Sequence, residues 1–157
     1  NWHGHDARWF LKISQELGFD VANKFNHITI RSMAKTDMKR LLKAMDCQKI
    51  DSIEELITVL QIARELYFPQ MVVKVESHGA STLIVNINRC PVFEEVKKAG
   101  LIGIYQCNCD IRFESWLEAC GLSERSSILQ SMNRGDPVCK VLLSQVFDNR
   151  TDADRVS

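Results

Sequence analysis

The sequence predicts an α+β domain, and three observations predict it. Apolar residues recur at helical spacing through the first 68 positions, the period shortens to two over residues 71–88, and two more apolar segments, 126–132 and 138–147, flank the turn Asn133-Arg134-Gly135-Asp136. The expected architecture is an N-terminal helical layer packed on an antiparallel sheet of two hairpins, with intervening helices. No repeat or linker divides the chain, so residues 1–157 read as a single domain, large enough to bury a core without disulfides.

Each element has its own signal. Phe10, Ile13 and Leu17 share a helical face that stops at Gly18, a suitable helix end. Asp20 is a candidate cap for a second helix carrying Val21, Phe25 and Ile28, then Met38, Leu41, Leu42 and Met45; Thr29 and Ile30 weaken its middle and leave room for a break. Asp51 with Glu54, or Ser52 with Glu55, forms a capping box before the stripe Ile53, Leu56, Ile57, Leu60 and Ala63, which Pro69 ends. Met71, Val73 and Val75, then Leu83, Val85 and Ile87, alternate with other residues on either side of His78-Gly79 and predict a β-hairpin. Pro91 stops its second strand. Residues 92–99 read as a short helix closed by Gly100, residues 111–119 as another ending near Gly121, and residues 148–157 as a frayed polar tail.

Lysine plus arginine and aspartate plus glutamate both number 20, so nothing obliges a basic face, and nucleic acid is a poor partner. No apolar run approaches 18 residues and no signal-peptide pattern is present, which predicts a cytoplasmic protein without a membrane partner. In that compartment six cysteines are thiols or metal ligands rather than disulfides.

Cys90, Cys107, Cys120 and Cys139 all fall at element ends in the second half of the chain, where segments can converge on a metal. Their spacing is not the paired CxxC of a zinc ribbon, and packing is the plainer reading, since free cysteine is commonly buried. Cys107-Asn108-Cys109 can offer two thiolates to one metal only if the backbone there is non-helical, because positions two apart on a helix diverge by about 200°. It is a poor geometry for a CxxC-type redox pair. Cys47 stands apart in sequence. The histidine-rich start, Trp2-His3-Gly4-His5-Asp6-Ala7, fails the HxHxDH pattern of hydrolytic metal pairs. Asp6 is then a helix cap, or else His5, Asp6, Arg8 and Trp9 help line a pocket. His27 and His78 lack sequence partners that would make either a base.

The stretches NWHGHDARWFLKISQELGFDVANKFN, NRCPVFEEVKKAGL and RGDPVCKVLL resemble small prokaryotic relatives of the vinyl-4-reductase domain superfamily, and more distantly thiazoline-carboxylate hydrolases. The resemblance runs over most of the chain and is most specific at His5-Asp6 with Trp9-Phe10, at Arg89-Cys90-Pro91-Val92, and at Gly135-Asp136-Pro137 with Cys139. It implies a hydrocarbon-binding α+β fold that usually dimerises, together with cysteine-ligated zinc. By position Cys90, Cys107 and Cys139 correspond to ligands; Cys120 is the expected fourth, with Cys109 as its substitute. Sensor domains of that superfamily place a glutamate and a cysteine three apart, whereas Glu118 and Cys120 are two apart, so no carboxylate ligand is expected.

The expected function is therefore binding of a hydrophobic small molecule by a homodimer with structural zinc. The expected ligand-binding residues are His5, Asp6, Trp9, Phe10, Ile13, Leu83 and Val85. Two alternatives are a metal-dependent enzyme acting on a tetrapyrrole vinyl group or a small heterocycle, and a homodimeric interaction module. No catalytic residue is assigned.

Overall fold

A computed structural model describes residues 2–123 and 125–147, with side chains from Arg8 onward. Three helices come first: α1 (Trp2–Leu17), α2 (Phe19–Ala44) and α3 (Ile53–Tyr67). The hairpin β1 (Val72–Ser77) and β2 (Leu83–Arg89) follows, then α4 (Pro91–Lys98), α5 (Cys109–Ala119), β3 (Ser126–Gln130) and β4 (Cys139–Leu143). The mixed α+β class with helices ahead of the sheet is as the periodicities predict.

Gly18 separates α1 from α2 at φ 86°, a left-handed value that a side chain would disfavour, and it is itself the residue preceding α2. Asp20 is thus not the cap. It lies in the first turn, where a carboxylate still favours the positive end of the helix dipole. Likewise α1 begins at Trp2, so Asp6 lies inside the helix rather than capping it. The break considered near Thr29-Ile30 does not occur: α2 runs unbroken for 26 residues. Tertiary burial outweighs propensity there, because Ala22, Ala34, Met38 and Leu41 are buried, and Arg31–Glu114 and Lys35–Glu118 ion pairs tie this stretch of α2 to α5. Ser52 caps α3 as expected, and the returning Glu55 bond goes to the residue before the cap. Ser52 Oγ accepts the Glu55 N–H at 3.2 Å, while the Glu55 carboxylate accepts the Asp51 N–H at 2.7 Å.

The sheet is wholly antiparallel in the order β1-β2-β4-β3. Its two central strands pair Leu83 with Leu143, Val85 with Val141 and Ile87 with Cys139, and all six side chains are buried on one face. That face and helices α2, α3 and α5 form the main core; Phe10, Ala22, Val96 and Leu101 form a smaller one. Among the described residues no helix is long and apolar enough to cross a membrane. The expected tail, 148–157, lies outside the described residues.

Candidate functional site

Three segments bring their chemistry to one end of the sheet. Cys90 directly follows β2 and precedes α4, whose first residue is Pro91, a position where the missing N–H costs nothing. Cys139 opens β4 opposite Ile87. It is set by the turn before it, where Gly135 adopts φ 93° and the Asp136 carboxylate accepts the Ser131 N–H at 2.7 Å. The Cys139 sulfur accepts the Met132 N–H at 3.3 Å.

The third segment is the loop leading into α5, pinned from below by a buried asparagine. Asn23 of α2 donates to the Ile104 carbonyl and accepts the Gln106 N–H, each at 3.1 Å. Asn133 donates to the Tyr105 carbonyl, and Asn108 donates to the Tyr105 hydroxyl at 3.2 Å. Held this way, residues 107 and 108 stay outside the helix and Cys109 becomes its first residue. The non-helical backbone that joint use of the two thiols demands is therefore present, with their sulfurs 3.4 Å apart.

Ionisation of the pair is shared: the Cys109 thiol hydrogen-bonds the Cys107 sulfur and lowers its pKa to about 7, while the same contact, with burial, raises Cys109 well above the ordinary thiol range. Burial pushes Cys90 up to about 11, opposed by the N–H groups of Phe93 and Val92 at the start of α4, and burial also raises Cys139. Cys90, Cys107, Cys109 and Cys139 feel one another's charge and line the same cavity. Cys120 does not join them. It closes the far end of α5, where Cys47 is the thiol that acts on it and burial pushes it up to about 12. Among the described residues no group of three or more histidine, cysteine or acidic side chains is arranged to hold a metal as it stands.

The cavity has a volume of about 540 Å³ and draws its walls from both cores. Val73, Val75, Val85 and Ile87 form its sheet side, and Phe68, Phe113 and Trp116 its aromatic side. Phe10 reaches it from α1, packed edge-on against Tyr105 with ring centres 5.5 Å apart. Of the expected ligand-binding residues, Phe10 and Val85 line this space. Trp9 turns outward and is 43 % exposed, Ile13 packs behind the smaller core, and Leu83 is sealed in the main core. The side chains of His5 and Asp6 lie outside the described residues. Asn108, Arg112 and Trp116, which the sequence expectations do not include, all line the cavity; the signal available for Arg112 and Trp116 is their spacing of four on one helical stripe, with Asn108 just ahead of the helix.

Fold and site together define an α+β domain built around an apolar cavity with a cluster of thiols at one end. A family model described as a family of unknown function, DUF6125, matches residues 1–116, and the chain belongs to that family. The matched span reaches Trp116 and so includes Cys90, Cys107, Cys109 and Arg112. No curated protein matches the sequence.

Proposed function

We propose that this protein is a cytoplasmic binding domain for an apolar small molecule, with zinc held at the thiol end of its cavity. The observation that carries the reading is the cavity itself: about 540 Å³ of space, within the range of small-molecule sites, walled by valines of the sheet and aromatic rings of α3 and α5. A well-packed domain closes such a volume, because unfilled apolar space costs stability.

Cys90, Cys107, Cys109 and Cys139 would hold the zinc. The donor set suits a metal that takes four thiolates in a tetrahedron, and backbone N–H groups already face the sulfurs of Cys90 and Cys139. Bound there, zinc would cross-link the end of β2, the start of α5 and the start of β4. The enzyme alternative needs an open coordination position, whereas a set of four thiols would fill the coordination of a structural zinc. Free thiols at all six cysteines suit a reducing compartment. Leu17, Phe25 and Ile28, exposed on α1 and α2, offer apolar area for the homodimer. Kinship with vinyl-4-reductase-like domains belongs to the same proposal, supported by Cys139 following the Gly135-Asp136-Pro137 turn into β4.

The test is thermal unfolding with increasing 2-naphthamide, an uncharged aromatic probe. A ligand that binds only the folded chain adds about 2.7 kcal/mol at one hundred times its Kd, so the melting temperature should climb with probe concentration. A melting temperature that stays constant or falls contradicts the reading.

A further inference from the structure

Helix α5 presents Arg112 and Trp116 to the cavity one turn apart, and Asn108, the residue just before the helix, lines the same space. The Arg112 guanidinium carbon lies 4.5 Å from the centre of the Phe68 ring. Among the described residues no carboxylate comes within ion-pair distance of it. Asp37, another lining residue, feels the Arg112 charge without pairing with it, and burial favours its protonated form. Burial desolvates Arg112, and of the groups whose charge acts on it, Cys109 first and then Tyr105, Asp37 and Cys90, none makes an ion pair with it, a costly state for a cation.

Three neighbouring polar atoms share this condition. Trp116 Nε1, Asn108 Oδ1 and Asn133 Oδ1 are buried without a hydrogen-bond partner, and all three residues line the cavity. Only one other buried side-chain polar atom among the described residues is unpartnered, His27 Nε2, and His27 is not a lining residue. Unpaired groups are rare in native interiors, so their concentration around this cavity marks a place built to be filled by something polar. Water could satisfy the amide oxygens. It brings no charge to Arg112.

We infer that the ligand is an acid: an apolar body for the valine and aromatic walls, carrying a carboxylate that pairs with Arg112, with the Trp116 N–H as the next donor along the helix. The inference rests on the proposed binding function and specifies its ligand class. A guanidinium presents a planar fork of donors that matches the two oxygens of a carboxylate.

Calorimetric titration of the full chain with 2-naphthoate and with 2-naphthamide separates charge from shape. The parent should bind the carboxylate about tenfold or more tightly than the amide, as a charge-assisted pair requires. Arg112→Gln should bring the two within about twofold while leaving amide affinity in place, and Arg112→Lys should keep part of the preference. Circular dichroism on both variants checks that the fold is intact. Equal binding of the two probes by the parent, or a preference that survives Arg112→Gln, overturns the acid while the apolar cavity stands; the thiols and Asp37 are then the counter-charges of Arg112. Binding of neither probe overturns both readings.

Discussion

The sulfurs of Cys107 and Cys109 lie 3.4 Å apart at the entrance to α5, close enough for one thiol to stabilise the other's thiolate. In metal-free protein this gives stability a maximum in pH. The folded pKa of Cys107, about 7, is below the unfolded thiol value of about 8.5, so its contribution is full above that value and is lost as pH falls through about 7. Cys90 and Cys120, raised by burial to about 11 and about 12, act oppositely: their contribution is full below about 8.5 and is lost as pH rises toward those values. Denaturant unfolding across the pH range should show stability rising from about pH 6 to 8 and falling above about pH 9, by at most about 1.4 kcal/mol per pH unit for each raised thiol. Cys107→Ala should flatten the acid limb and Cys120→Ala should soften the alkaline one. A profile unchanged in both variants contradicts the assignment.

Which thiols hold zinc is decided by a pair of substitutions. Cys109→Ser should lose the metal, since Cys109 lies with Cys90, Cys107 and Cys139, while Cys120→Ser should retain one zinc per chain. Elemental analysis of protein purified without added metal reads the outcome directly, and loss from Cys120→Ser with retention by Cys109→Ser reverses the assignment.

Asn23 positions this thiol pair from a distance. Its amide serves both the Ile104 carbonyl and the Gln106 N–H, and it is buried. Asn23→Ala leaves both backbone groups without that partner and should cost about 2–3 kcal/mol in chemical denaturation. It should also speed hydrogen exchange over residues 104–109. A loss under about 0.5 kcal/mol, the range of ordinary surface changes, contradicts the role.

The layers and most element ends were legible in the sequence because local chemistry sets them: the Ser52-Glu55 box, Pro91 beyond the end of a strand, and Gly18, Gly100 and Gly121 with positive φ at helix ends. Cys120 lies at the opposite end of α5 from Cys109. An 11-residue helix is about 16 Å long, so thiols at its opposite ends cannot share one metal, and the predicted helix boundaries already contained that objection. Trp9 and Phe10 are neighbours in sequence, yet adjacent helical positions point about 100° apart; Phe10 is buried and Trp9 faces outward. Beyond its spacing from Trp116, Arg112 carries no signal in the sequence, because an arginine on an amphipathic helix ordinarily faces water. Only the packing of α5 against α2 and the sheet turns it toward the cavity.

Filling the cavity tests the central claim most directly. Val75 lies on the edge strand β1, half-buried, lining the cavity and paired with Val85, so Val75→Trp adds bulk toward open volume rather than into packed atoms. Calorimetry with 2-naphthamide should give saturable one-to-one binding to the parent and at least about tenfold weaker binding to Val75→Trp, about 1.4 kcal/mol, with the melting temperature of the free variant unchanged or raised. Equal affinity for both proteins, or no saturable binding to the parent, would contradict a ligand site in this cavity.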